Sequence, residues 1–193
     1  MTDRGTLVRL LSQRSVRRGR FTLASGRESN HYVDARLTTM SPEGLAVIGP
    51  LALRAIRERS WPVDAVGGLT LGADPIAYAT ALASVTSPPL VRAFTVRKEA
   101  KQHGTGRLIE GPLREGDRVV VLEDVITSGA SALRAAEAVQ RAGATVSGIL
   151  ALVDREEGGR DILEAQGFEV SCLATLSELL HSAPADGAAV QAP

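Results

Sequence analysis

Val119 to Ser131 reads VVVLEDVITSGAS. Four apolar, mostly β-branched residues, Val119-Val120-Val121-Leu122, form a buried-strand pattern, and two carboxylates, Glu123 and Asp124, follow side by side. After Val125 and Ile126, the small residues Thr127-Ser128-Gly129-Ala130-Ser131 open a helical segment. A strand that runs through small residues into a helix aims several backbone N–H groups at one spot, where the helix dipole also favours an anion. Adjacent carboxylates accept hydrogen bonds from a pair of neighbouring hydroxyls. Phosphate on one side and a vicinal diol on the other is what a ribose 5-phosphate presents. Helix capping is the competing explanation, since many α/β proteins end a strand with Asp and cap the next helix with Ser or Thr. Capping needs one such group, however, and a second acid beside it is repelled unless a ligand uses both.

Working outward, strand-like and helical runs alternate from about residue 40. Ser41-Pro42-Glu43 starts a helix, with Ser as cap and Pro in the first turn, that runs to about Arg59 with a bend expected near Pro50. Strands are expected at Val63–Val66 (ending in Gly67-Gly68), Val91–Val96, Val119–Leu122, Val146–Val153 and Phe168–Leu173. Helices are expected at Asp74–Ser84, Ser131–Ala142 and Asp161–Gln166, and Thr175-Leu176-Ser177-Glu178 fits a capping box that opens a last one. This order implies an α/β fold, a mostly parallel central sheet with helices on both faces. Ligands of such sheets sit at the carboxyl ends of the strands, where Gly67-Gly68, Arg97-Lys98, Glu123-Asp124 and Asp154-Arg155 all fall. The N-terminal segment differs: a helix from about Gly5 to Val16, then Phe21–Leu23 and His31–Asp34 as a hairpin-like hood outside the main sheet. The expected organisation is therefore helix and hood over 1–40, a core over 41–181, and a disordered Ala- and Pro-rich tail over 182–193.

At 193 residues the chain suits one domain, and Lys+Arg and Asp+Glu both total 22, so no charge bias points to nucleic acid or a membrane surface. The lone cysteine, Cys172, reads as a small buried hydrophobe, and His31, His103 and His181 are too scattered for a zinc site. With no signal peptide and no span-length apolar segment, a cytoplasmic protein is expected.

Three further stretches carry chemistry. Arg97-Lys98-Glu99-Ala100-Lys101-Gln102-His103-Gly104 gathers four potential cations in a polar run that extends to Gly116 without hydrophobic period. Loops this long are functional or disordered; between two strand ends, a cationic flap can neutralise charge on a leaving group and exclude water. Gly67-Gly68-Leu69-Thr70-Leu71-Gly72 lacks the dinucleotide fingerprint and reads as a structural turn or a second anion-binding loop. Arg155 either pairs with Glu156 or Glu157 or offers its fork to a substrate carboxylate.

The segment Val120–Ser131 resembles the PRPP-binding signature of type I phosphoribosyltransferases. Phe21-Thr22-Leu23-Ala24-Ser25-Gly26-Arg27, Arg97-Lys98-x-x-Lys101-x-His103-Gly104, and Val153-Asp154-Arg155 with Gly158-Gly159 narrow the resemblance to the orotate phosphoribosyltransferase family. It implies the type I phosphoribosyltransferase fold with an N-terminal hood. It also implies transfer of a phosphoribosyl group from PRPP to orotate, in the synthesis of UMP. The PRPP-binding residues it implies are Arg97, Lys98, Lys101, His103 and the run Glu123, Asp124, Val125, Ile126, Thr127, Ser128, Gly129, Ala130 and Ser131. Glu123 and Asp124 take the ribose hydroxyls in that scheme, and Thr127–Ser131 the 5-phosphate. Lys101, Glu123 and Asp124 are the catalytic set. Thr127 and Arg155 meet orotate, with main-chain groups around His31-Tyr32. Mg2+ is implied as carried by PRPP and not by a protein cage, and a homodimer is implied in which the Arg97–Gly116 loop is shared between subunits. Ala24 and Leu69–Gly72 depart from the resemblance, lacking lysines frequent there. The rival readings are a purine-type transferase and a non-catalytic PRPP-sensing regulator. A neutral purine gives Arg155 nothing to hold, and the chain carries no helix-turn-helix extension.

Overall fold

The computed structural model describes residues 4–22, 28–99 and 108–182. The tail after Ser182 and all of the Ala100–His103 stretch read above as functional lie outside these residues, as do Leu23–Arg27. In chain order the elements are α1 (Arg4–Arg14), β1 (Val16–Thr22), β2 (Glu28–Val33), α2 (Arg36–Thr39), α3 (Pro42–Glu58), β3 (Ala65–Leu69), α4 (Ala73–Thr86) and β4 (Arg92–Val96). They continue with β5 (Ile109–Glu110), β6 (Arg118–Ile126), α5 (Ala130–Arg141), β7 (Thr145–Asp154), α6 (Gly159–Ala165), β8 (Val170–Thr175) and α7 (Leu176–Ser182).

A six-stranded sheet runs in the order β5-β4-β3-β6-β7-β8, parallel except for β5, and β1 and β2 form a separate antiparallel pair. Strands covered on both sides carry apolar residues on both faces, which is why Val119–Leu122 of β6 and Ile149–Val153 of β7 read as unbroken hydrophobic runs. Val120, Leu122, Leu150 and Leu152 face a core built with α1, α3, α4 and Leu179 of α7. Val119, Val121, Ile149 and Ala151 face a second core with α5 and Leu163 of α6. Helix α1 therefore belongs to the main core, through Leu7 and Leu11, while the β1–β2 hairpin alone forms the hood.

The sequence reading holds in the type and order of the elements it named, but it misses α2 and β5 and fails at several boundaries. Pro50 lies inside α3 on its exposed side. Gly67 and Gly68 do not follow β3; they are strand residues within it, both paired to β4 and Gly67 to β6 as well. Part of the Arg97–Gly116 stretch is also a strand, since Ile109 and Glu110 pair with Val96 and Thr95. Two residues are too few to show a period, and Leu108 and Ile109 earn their place by packing on the second core. The last strand begins at Val170, not Phe168. Most consequential, Glu123 and Asp124 lie within β6, which continues to Ile126 because β7 pairs with it to that point. The capping box forms as expected: the Thr175 N–H donates to Glu178 Oε2 at 2.9 Å and the Glu178 N–H to Thr175 Oγ1 at 3.3 Å.

Candidate active site

Strands β3 and β6 are neighbours, yet the chain leaves them in opposite directions, toward β4 and toward β7. Such a reversal opens a crevice at the carboxyl ends of the strands. Pairing between β3 and β6 ends at Gly67 opposite Val121, whereas β6 stays paired to β7 as far as Ile126 opposite Asp154. Between the parted ends lies a cavity of about 810 Å3.

Both acids line it. Adjacent strand residues ordinarily face opposite sides of a sheet, but the alternation slips here. Val121 packs on the second core and Leu122 on the first, while Val125 packs on the first and Ile126 on the second. Across this change of side, with the register to β7 unbroken, both Glu123 and Asp124 border the same cavity. Glu123 is 7 % exposed, and its Oε2 is buried without a hydrogen-bond partner among the described residues. Burial, and then the neighbouring Asp124, push its carboxyl well above the usual 4.5. Asp124 Oδ1 accepts from the Val125 N–H at 2.8 Å, and its carboxylate lies against Gly72, where an added Cβ would sit 2.5 Å from it.

The turn between β6 and α5 owes its shape to two glycines packed back to back. Gly129 precedes α5 at φ 77°, a left-handed conformation that favours glycine, and makes no side-chain cap. A Cβ on Gly159 would stand 2.2 Å from the Thr127 carbonyl oxygen and 2.7 Å from the Gly129 nitrogen. With Ser128 Oγ only 3.5 Å from the Ala130 nitrogen, the first amides of the 12-residue α5 have little protein competition for an anion.

Across the cavity, Leu69–Gly72 leaves β3 and is anchored through Asp74. Thr70 Oγ1 donates to Asp74 Oδ2 at 2.7 Å and Thr95 Oγ1 to Oδ1 at 2.8 Å, tying this loop to the end of β4. The hood contributes Tyr32, Val33 and Asp34, and α2 contributes Arg36. Arg36 grips Asp34 through Nε and Nη2 at 2.8 and 2.9 Å, which holds the Asp34 carboxyl below its usual range. Arg155, 5 % exposed, directly follows β7 with its N–H on the Ile126 carbonyl at 3.0 Å and its guanidinium beside Glu157 at 2.7 Å.

Of the residues singled out from sequence, Lys98, Glu123, Asp124, Val125, Thr127, Ser128, Ser131 and Arg155 meet around this one cavity. Ile126 instead packs into the second core, and Gly129 and Ala130 form the turn into α5. Arg97 does not line the cavity; its Nη1 lies 3.5 Å from Glu110 Oε1. Lys101 and His103 fall outside the described residues. Sequence reading missed Asp34, Arg36 and Glu157 as lining residues. The D-A-R spacing of the first two was a readable signal, whereas nothing local distinguished Glu157 from Glu156.

No protein-family model matches the chain. The orotate phosphoribosyltransferase of Aquifex aeolicus (strain VF5) is 48 % identical over 183 residues, which cover 93 % of this chain and 99 % of that protein. The orotate phosphoribosyltransferase of Pyrococcus furiosus is 44 % identical, covering 92 % and 95 %. The crystal structure of the Mycobacterium tuberculosis H37Rv orotate phosphoribosyltransferase in complex with PRPP matches with a TM-score of 0.77 at 40 % identity, covering 91 % of this chain and 98 % of that one. With relatives this similar along nearly its whole length, the chain belongs to the orotate phosphoribosyltransferase family of pentosyltransferases.

Proposed function

We propose that the cavity between the ends of β3 and β6 is where this enzyme transfers the 5-phosphoribosyl group of PRPP to orotate, giving orotidine 5′-monophosphate and pyrophosphate. One observation carries the reading: two adjacent carboxylates, an open helix mouth and a buried arginine share a single space. Glu123 and Asp124 accept the ribose hydroxyls, and the amides of Thr127–Ser131 hold the 5-phosphate at the start of α5. Arg155 takes the orotate carboxylate. The carbon 1 bond to pyrophosphate breaks with its electron pair leaving on pyrophosphate oxygen, and the orotate ring nitrogen bonds from the opposite face as its N–H bond breaks and the proton passes to water. The sugar carries oxocarbenium character between these events, so the protein's task is positioning and charge stabilisation.

Lys98 and the flap residues Arg97, Lys101 and His103 meet the pyrophosphate. Arg36, held by Asp34, is a further cation on the cavity lining near Asp124, where Leu69–Gly72 supplies none. Among the described residues no cluster of His, Cys, Asp or Glu is arranged to hold a metal ion. Mg2+ fits this site as a companion of PRPP, with the two acids as hard oxygen neighbours, and when bound it supplies neutralisation of pyrophosphate charge.

The enzyme works as a homodimer whose Arg97–Gly116 loop reaches the neighbouring subunit's cavity. In support, Tyr78, Leu82 and Val85 line one face of α4 at 55 %, 73 % and 62 % exposure, an apolar stripe suited to a second copy. Its phosphorylated substrates suit a cytoplasmic setting, and among the described residues no helix is long and apolar enough to cross a membrane. The test is an assay supplying PRPP and Mg2+ with orotate, adenine, hypoxanthine or xanthine in turn. Pyrophosphate release with orotate alone is the expected result. Release with a purine favours the purine-type transferase, and release with none favours a PRPP sensor; either outcome refutes the reading.

A further inference from the structure

Arg155 has an unevenly occupied guanidinium. Its Nη2 is crowded, with Glu157 Oε1 at 2.7 Å, Ser29 Oγ at 3.3 Å and the His31 carbonyl oxygen at 3.4 Å. Its Nε is buried with no partner among the described residues. Nε and Nη2 form the side edge of the fork, the edge that grips a carboxylate through two parallel bonds. Asp34 and Arg36 show the complete version in this same cavity, with both donors engaged by the two carboxylate oxygens. Arg155 and Glu157 make half of it. Glu156 is not a rival for the remaining half, because its Oε2 already accepts from the Ser177 N–H at 2.8 Å and from Ser177 Oγ.

We propose that Glu157 is a resident carboxylate that the orotate carboxylate displaces from Arg155, making Glu157 a specificity-determining residue for the acceptor; this rests on the assignment of Arg155 to orotate. While the site is empty of substrate, Glu157 neutralises a guanidinium that is nearly excluded from water, which would otherwise be a costly unpaired charge. An incoming carboxylate gains Nε as well as Nη2, two charge-assisted bonds where Glu157 makes one. Glu157 keeps 21 % of its side chain exposed, so it has water to turn toward when released. An acceptor without a carboxylate cannot take its place. It leaves the Nε unmet and meets the Glu157 charge at the mouth of its own subsite. Selection therefore uses a repulsive element as well as an attractive one.

The two roles open to Glu157 predict opposite signs. If it competes with substrate, removing its charge tightens orotate; if it only holds Arg155 in place, removing it loosens orotate. Steady-state kinetics at saturating PRPP and Mg2+ on Glu157→Gln should show the KM for orotate falling about fivefold, the size of one exchanged ionic hydrogen bond. Glu157→Asp, which keeps the charge but withdraws it by one methylene, should show a smaller fall in the same direction. The KM for PRPP reports whether the remainder of the site is intact. Arg155→Ala, measured beside them, reads the underlying assignment: a steep rise in orotate KM supports it, and no rise removes it. If Arg155→Ala raises the orotate KM while both Glu157 variants leave it unchanged or raise it, the displacement proposal alone is overturned.

Discussion

Replacing Glu123 by Gln should make the protein more stable and nearly inactive. The Glu123 Oε2 is buried without a partner among the described residues and stands beside the Asp124 carboxylate. A buried unsatisfied polar group costs about 1–3 kcal/mol. The amide of Gln keeps the shape, lacks the charge, and can donate to Asp124 where a carboxylate is repelled. A gain of about 1–2 kcal/mol is expected near pH 8, which in a chain of this size raises Tm by roughly 2–8 °C. The sign with pH follows from the direction of the shift. Burial, then Asp124, raise the folded-state pKa above 4.5, so the folded chain holds a proton that the unfolded chain releases above that value. The stability this lends is full below about 4.5 and is lost as pH rises through the folded-state value. Gln does not titrate, so its advantage over Glu123 should be small near pH 5 and grow toward pH 8. Turnover should fall about 10²–10³-fold through loss of a group that grips the ribose. Thermal melts at both pH values with parallel kinetics provide the assay. A variant less stable than the parent at pH 8, or one with the same Tm offset at both pH values, refutes this reasoning.

Other substitutions probe the remaining parts. Gly72→Ala places a Cβ 2.5 Å from the Asp124 carboxylate, so it should raise the KM for PRPP at least about tenfold, measured by initial rates. Gly159→Ala drives a methyl toward the Thr127 carbonyl oxygen, 2.2 Å from the built Cβ, and should weaken binding of ribose 5-phosphate in calorimetry. Lys101→Ala should lower turnover about 10²–10³-fold with an unchanged melting curve; near-normal turnover removes the residue from the mechanism. Leu82→Glu puts a charge in the exposed stripe of α4 and should shift the proposed dimer to monomer in light scattering, with loss of activity.

The sequence of β6 made the chemistry legible because strand, acids, small residues and helix follow one another locally. What it hid was the position of the acids. A polar pair after Val119–Leu122 looks like a strand end, yet β7 carries the pairing on to Ile126, and only a partner strand distant in sequence reveals that. The change of side across which Glu123 and Asp124 both border one cavity is likewise a property of the packed sheet. Asp74 was only the first residue of an expected helix, and its role in tying Thr70 to Thr95 depends on another strand. Glu157 and Glu156 are chemically identical in sequence. They separate because α7 presents Ser177 to one and β7 presents Arg155 to the other. The D-A-R segment was local and readable, but its value depended on knowing that α2 borders the cavity.

A crystal structure with PRPP and Mg2+ tests the central claim most directly. The account predicts the 5-phosphate at the start of α5 within hydrogen-bonding distance of the Thr127–Ser131 amides, and the 2′ and 3′ hydroxyls on Glu123 and Asp124. Ligand bound elsewhere, or bound here with both acids turned away from the sugar, would contradict it.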